Sequence, residues 1–147
     1  MNGKTTLLMC AAALLLGGCA RQDAAFYMIG GDNRHSLSLM REAYPWSSGW
    51  EVKLVTANGP RCQRRHELKD VPEEDFKVDL YEPEPEAFIL NQGTNWYVTE
   101  MGKCGFQQFQ VPPPAPGKLI GQFVEKNAQL VFVDASGKAT PETSITR

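Results

Sequence analysis

Apolar and polar side chains alternate along much of this chain, and a period of two restricts the folds open to it. In residues 50–54 the apolar members are Trp50, Val52 and Leu54, and residues 76–80 repeat the pattern. Alternation of this kind is typical of a β-strand with one buried face. We find no convincing helical period, and turn-forming residues separate roughly eight short strands. The sequence therefore predicts an all-β fold, a small antiparallel β-sandwich or barrel.

Two breaks between the strands carry specific structural signals. Asn58-Gly59-Pro60 predicts a hairpin turn, because asparagine and glycine accept the positive φ angles of tight turns. The run Val111-Pro112-Pro113-Pro114-Ala115-Pro116-Gly117 predicts a polyproline II segment. We interpret it as a semi-rigid spacer or as a strap that crosses a sheet. A ligand for a proline-recognising groove is the alternative.

The first residues have the layout of an export signal. Lys4 supplies a positive start, and residues 5–16 are largely apolar. That stretch is shorter than the about 20 residues that a helix needs to span a bilayer. It ends in Leu16-Gly17-Gly18-Cys19, where small residues stand directly before a cysteine.

Leu16-Gly17-Gly18-Cys19 resembles the lipobox of bacterial lipoprotein signal peptides. The resemblance implies cleavage between Gly18 and Cys19, a diacylglyceryl thioether on Cys19 and acylation of the new amino terminus. Two or more acyl chains hold a protein firmly on a bilayer. Ala20 stands where an aspartate would favour the inner membrane, so the resemblance implies an outer-membrane lipoprotein of the cell envelope that faces the periplasm. An ordinary secretory signal with an incidental cysteine is the alternative.

These interpretations divide the chain into four parts. Residues 1–18 form the signal peptide, residues 19–33 the lipidated N terminus and a tether, residues 34–134 the β-domain, and residues 135–147 a polar C-terminal tail. The apolar residues 26–29 leave a second interpretation open. In that case a strand begins there, and the domain sits close to the membrane.

Four cysteines are present, and two of them remain for the mature domain. One leaves with the signal peptide and Cys19 takes the lipid, so Cys62 and Cys104 remain. In an oxidising envelope this even remainder predicts a disulfide that closes a long loop. A redox pair would need a C-x-x-C spacing, and a metal site would need His35 and His66 as further ligands. We predict the structural disulfide and no metal.

The net charge of −2 argues against a nucleic-acid binder that works by bulk positive charge. Charge is nevertheless segregated, since residues 34–66 sum to +4 and residues 67–86 sum to −7. A bipolar surface could steer a partner, whereas solvated strands that pair with one another are the alternative.

The candidate binding residues are a basic group beside Cys62 and two aromatic residues in a turn: Arg61, Arg64, Arg65, His66, Tyr44 and Trp46. Aromatic residues in such strands more often pack in the core, whereas Tyr44 and Trp46 lie in a turn and are expected to be the exposed pair.

Motifs for catalysis are lacking in the sequence. It has no Gly-x-Ser-x-Gly, no H-E-x-x-H and no phosphate-cradling loop, so we predict no enzyme activity and no cofactor. The expected function is a membrane-anchored structural or interaction module. Its expected partners are the membrane, through the lipid, and an unknown envelope protein or cell-wall component, with no nucleic acid.

Three alternative functions stay open: an inhibitor of a lysozyme-like hydrolase, a small-ligand-binding β-barrel and a degenerate hydrolase. Small β-barrel lipoproteins that inhibit lysozyme resemble this chain in size, anchor and disulfide. Their Ser-Gly-x-x-Tyr inhibitory segment is absent here, so the resemblance is architectural.

Overall fold

The computed structural model describes residues 19–140. The predicted signal peptide with its cleavage position at Gly18, and residues 141–147 of the expected tail, lie outside the described residues. Within 19–140 the chain forms eleven strands in two antiparallel sheets, with one 3-10 turn at Ile29–Gly31 and no α-helix. This confirms the predicted all-β class, and the two packed sheets make it a sandwich. A bilayer-crossing helix, long and apolar, is not found among residues 19–140.

The first sheet has the order β1-β2-β3-β4, and the short β5 pairs with β3. Its strands are β1 (Arg21–Met28), β2 (His35–Ala43), β3 (Gly49–Asn58), β4 (Cys62–Glu67) and β5 (Val71–Pro72). The second sheet has the order β11-β10-β6-β7-β8-β9. Its strands are β6 (Lys77–Glu84), β7 (Ala87–Gln92), β8 (Asn95–Glu100), β9 (Gly105–Phe109), β10 (Lys118–Lys126) and β11 (Gln129–Asp134).

The core lies between the two sheets and follows the predicted alternation. Trp50, Val52 and Leu54 are buried on β3, and the matching residues of the second sheet are Phe76, Val78 and Leu80. Every second residue of a strand faces the same side, so these positions meet across the sandwich. Further large core side chains come from five other strands: Leu37, Leu39, Phe88, Leu90, Tyr97, Phe123, Leu130 and Phe132.

Specific contacts join the two sheets at both edges. At the β1 edge, the backbone nitrogen of Leu130 on β11 donates to Asp23 Oδ2 at 2.6 Å. At the β4 edge, Cys62 and Cys104 form the predicted disulfide, with Cα atoms 6.0 Å apart. Both edge strands of the first sheet are therefore tied to the second.

The expected tether over residues 19–33 is wrong, because β1 occupies most of it. Residues Arg21 to Met28 pair with β2 in continuous antiparallel register, from Arg21 opposite Ala43 to Met28 opposite Ser36. Ala25 and Tyr27 of this strand pack on the core. The segment is extended because its backbone pairs with β2 and these two side chains are held between the sheets. The domain begins at residue 21, as in the second interpretation of residues 26–29.

The domain also extends beyond residue 134. The backbone nitrogen of Thr140 donates to Phe132 O at 2.8 Å, and Ala139 forms a bridge with Val133. Residues 135–140 therefore turn back along β11, because the carboxylate of Asp134 accepts hydrogen bonds from Ser136 and Lys138 and closes the turn.

The proline-rich run forms the predicted strap. Strand β9 ends at Phe109, opposite Trp96, whereas β10 begins at Lys118, opposite Glu82 near the other end of the sheet. Residues 110–117 thus pass the three strands that lie between β9 and β10. At Gly117 the φ angle is 95°, and a Cβ atom would lie 2.3 Å from Pro83 Cα, so glycine is required where the strap meets β6.

Candidate functional site

Cys19 and the predicted aromatic pair lie at the same end of the first sheet. Cys19 is exposed, is not in a disulfide and stands two residues before β1. Because Arg21 pairs with Ala43, the loop 44–48 that follows β2 lies beside the start of β1. In this loop the Trp46 side chain is 79% exposed, and its ring stacks on Tyr44 with centroids 5.0 Å apart. Trp46 is exposed as predicted, whereas Tyr44 is half-buried.

Hydrogen bonds within the loop hold this aromatic pair in place. Ser47 Oγ accepts from the backbone nitrogen of Tyr44 at 3.1 Å and lies 2.9 Å from Tyr44 O and 3.0 Å from Gly49 O, to which it can donate. The backbone nitrogen of Ser47 donates to Tyr44 O at 3.0 Å. The loop therefore presents Trp46 on a tight turn.

The predicted basic group is divided between two faces of β4. The register places Arg64 and His66 opposite Thr56 and Leu54, whose side chains are buried in the core. Arg65 alternates with them and faces the outside of the sandwich, and Arg61 lies in the turn before β4. Arg61, Arg64 and Arg65 form no ion pair with any residue in 19–140. The group is thus a basic edge and not one compact patch.

His66 belongs to the disulfide edge of the sandwich. Its ring stacks on Phe106 with centroids 4.6 Å apart, and Nε2 donates to Cys104 O at 3.1 Å. Burial lowers the pKa of His66, the hydrogen bond to Cys104 raises it, and the charge of Arg64 lowers it, with a net result below the usual 6.5. The neutral ring therefore helps to join β4 to β9. Cys62 is bonded to Cys104, so its sulfur is not a free thiolate that could bind a metal together with His66.

We expect His66 to make the stability of the domain depend on pH. Since its pKa in the folded state is lowered, the unfolded chain binds more protons between that pKa and about 6.5. The stabilisation is therefore present above about pH 6.5 and is lost as the pH falls through the folded pKa. Urea unfolding of the wild type and of His66→Gln at neutral and mildly acidic pH measures this, and the wild-type advantage should shrink in acid. An NMR titration that places the pKa of His66 above 6.5 would contradict it.

The outer face of the first sheet carries an apolar groove of about 440 Å³. Three small residues on adjacent strands form its floor: Ser36 and Ser38 on β2 and Ala57 on β3. The larger side chains of Phe26 and Met28 border it on β1. Ser36 and Ser38 are 4% and 8% exposed, although their register places them on the face away from the core. The large side chains beside the two serines, such as Phe26 and Met28, therefore cover them from the side and leave a depression in the surface of the sheet.

Basic residues border the groove. Arg34 and Gln63 line it directly, and a second recess that shares Gln63 and Val55 with the groove is lined by Arg64 and Arg65. Arg34 has one exposed carboxylate near it, Asp32 at 3.5 Å. The arrangement places positive charge beside apolar surface, which suits a partner that carries an acidic group next to an apolar one.

This groove was not predicted from the sequence, although a signal for it is present. In Ser36-Leu37-Ser38-Leu39 the leucines are buried in the core, and the alternating serines leave the opposite face of β2 without bulk. Small side chains on one face of a strand form a depression only if the strands on both sides carry larger side chains at the paired positions. The identity of the paired strands must therefore be known before the depression can be predicted. The pairing of Ser38 with Phe26 on one side and with Val55 on the other supplies that information.

A buried arginine lies below the end that carries Cys19. The side chain of Arg41 has no exposed area and donates to both oxygens of Asp23, at 2.6 and 2.9 Å, and to Glu125 at 2.5 Å. Its guanidinium also lies 4.0 Å from the centre of the Trp50 ring. Burial alone lowers the pKa of Arg41, but the hydrogen bonds to Asp23 and Glu125 raise it, and the net shift is upward. The Arg41 guanidinium and the carboxylates of Asp23 and Glu125 pair with one another, and these contacts join β1, β2 and β10.

Comparison with protein-family models, with curated proteins and with solved structures finds no match to this chain. What the domain does has to follow from its own residues. Among the predicted site residues, the structure places Tyr44 and Trp46 at the end that carries Cys19, and it separates both from the basic residues of β4. Two surfaces of the described chain therefore have the character of contact sites: the aromatic end and the grooved face.

Proposed function

We propose that this protein is a lipid-anchored, non-catalytic interaction module of the bacterial cell envelope, held on the outer membrane and facing the periplasm. The observation that carries the proposal is the position of Cys19, which is exposed and has one residue between it and β1. Two extended residues span at most about 7 Å. Acyl chains on Cys19 would therefore hold the sandwich directly at the membrane surface, in agreement with the lipobox-like Leu16-Gly17-Gly18-Cys19.

The module receives its partner on the outer face of the first sheet. The groove supplies apolar contact area, and Arg34 and Arg65 supply positive charge at its border. A polymer that carries carboxylates alone would leave the apolar floor without a role. The partner is therefore an envelope protein that presents an apolar side chain next to an acidic one, since complementary charge guides docking and apolar burial contributes affinity.

The alternative functions draw less support from the described residues. A ligand within a barrel would need space between the sheets, and that space is filled by side chains such as Leu54, Phe88 and Phe123, which have no exposed area. The open groove lies on the outside instead. No observation in residues 19–140 favours the hydrolase inhibitor or the degenerate hydrolase.

One experiment in cells tests the anchor and the docking face together. A photo-crosslinking amino acid replaces Gln63, which borders the groove, and the cells are labelled with palmitate. We expect a labelled protein and a discrete crosslinked product for the wild type. For Cys19→Ser we expect loss of the palmitate label and of most of the product, because the module leaves the membrane. Equal labelling of the two would contradict the anchor.

Two matched controls test the docking face. Gln107 is an exposed glutamine on β9, the edge strand of the other sheet, and a crosslinker there should give no such product. Arg65→Glu should remove the product at Gln63, whereas Lys118→Glu, an exposed lysine on β10, should not. A product that survives Arg65→Glu, or that appears equally from Gln107, would show that the grooved face does not select the partner.

A further inference from the structure

The end of the sandwich that carries Cys19 has two of the three large hydrophobic side chains that are exposed in residues 19–140. Three large hydrophobic residues are exposed in the described chain: Trp46, Val111 and Leu119. Trp46 lies on the loop beside the start of β1, as its position after Ala43 requires. The Trp46 and Val111 side chains are the most exposed of the three, at 79% and 72%.

Val111 lies at the same end of the molecule on the second sheet. Gln92, the last residue of β7, donates to Lys69 O, just after β4 reaches the Cys19 end of the first sheet. Gln92 pairs with Asn95, and the next residue of β8 pairs with Phe109, the last residue of β9. Val111 follows Phe109 by two residues. Both sheets therefore place an exposed apolar side chain at the end from which Cys19 leaves.

Charged residues at this end do not form a positive surface. Arg21 is paired with Glu73 at 2.6 Å, and the connection from β4 to β6 adds three further acidic residues: Asp70, Glu74 and Asp75. The exposed lysines at this end are Lys69 in the same connection, Lys126 at the end of β10, and Lys77 at the start of β6, which lies 3.4 Å from Asp79. Attraction to negatively charged lipid headgroups would be opposed by these carboxylates. Apolar and aromatic contacts are what this end offers to a bilayer.

We propose that Trp46, supported by Tyr44, and Val111 insert into the interfacial layer of the phospholipid bilayer that holds Cys19, and so orient the sandwich with this end against the membrane. The inference rests on the lipid anchor of the proposed function. Tryptophan and tyrosine rings favour the membrane–water interface, because they combine an apolar body with a polar group.

The anchor is what makes so small an insertion effective. A single exposed aromatic side chain contributes too little to hold a soluble domain on a bilayer. With Cys19 acylated, the start of β1 stays within about 7 Å of the interface, so insertion becomes an intramolecular step at high effective concentration. The grooved outer face of the first sheet then stands at right angles to the membrane and stays open to a partner in the periplasm.

Fluorescence quenching by brominated lipid tests the inference. The mature, acylated protein is reconstituted into phosphatidylcholine vesicles with and without bromine on the acyl chains, and mass spectrometry verifies the acylation of Cys19. We expect quenching of the wild type and loss of the larger part of it in Trp46→Phe. Raising the salt concentration should leave the quenching unchanged, since the contact is not electrostatic.

The control moves the exposed tryptophan to the other end of the sandwich. Lys138 is exposed in the turn after β11, at the end opposite Gln129, and Trp46→Phe combined with Lys138→Trp should regain no quenching. Equal quenching of the wild type and Trp46→Phe, in acylated protein, would overturn this inference alone. Protein without acyl chains on Cys19 would overturn the anchor, and this inference with it.

Discussion

Arg41→Met is expected to destabilise the domain by about 3 kcal/mol, the lower end of the range for breaking a buried ion pair. The substitution removes the cation from two carboxylates, Asp23 and Glu125, that join three strands. Because the side chains of Asp23 and Glu125 retain 23% and 37% exposure, water can solvate them in part, which keeps the loss below the upper end. The midpoint of urea unfolding measures the effect.

Two variants separate the ion cluster from a general effect of losing an arginine. Arg64→Met removes an exposed arginine of the same sheet and should change the free energy of unfolding by less than about 0.5 kcal/mol. Adding Asp23→Asn and Glu125→Gln to Arg41→Met should restore part of the stability, because no unpaired charge remains. Equal unfolding midpoints for Arg41→Met and Arg64→Met would show that the buried cluster contributes little.

Loss of the disulfide is expected to have a similar or larger effect. Cys62 and Cys104 are separated by 42 residues along the chain. The chain-entropy model assigns about 4 kcal/mol to closing a loop of this length in the unfolded state. Without the bond, the β4 edge keeps the hydrogen bond from His66 to Cys104 O and the one from Asn58 Nδ2 to Met101 O, so we expect a weakened but folded domain.

The double variant Cys62→Ser/Cys104→Ser tests this in the protein without its signal peptide, by denaturant unfolding under oxidising conditions. Cys19→Ser is the matched control, since Cys19 is exposed and makes no disulfide. It should leave the unfolding midpoint unchanged. A double variant as stable as the wild type would mean that the bond constrains the unfolded chain far less than its loop length implies.

The alternation of residues in β3 and β6 was sufficient to predict both strands and their buried faces, because that signal is local. Trp50, Val52 and Leu54 needed no knowledge of their neighbours to be placed in a core. The prediction failed for β1, where residues 21–28 were assigned to a tether. Its polar first residues conceal the strand, and pairing with β2 is what makes it extended.

The candidate site could be predicted in part. Trp46 was expected to be exposed, because aromatic residues in a proline-containing turn have little core to enter, and the structure agrees. The four basic residues after Gly59 were expected to act together, yet the strand period sends Arg65 to the opposite face from Arg64 and His66. A run of neighbours in a strand cannot form one patch, since successive side chains point to opposite sides.

The sequence by itself determined the β class, the disulfide between Cys62 and Cys104, and the strap, because period, cysteine number and proline content act locally or by simple counting. Tertiary structure alone decided that Arg41 is buried against Asp23 and Glu125, since these residues are far apart in the chain and meet only when β1, β2 and β10 come together. It also decided that Trp46 lies at the end of the sandwich that carries Cys19. Strand register sets which residues become neighbours, and register is a property of the whole sheet.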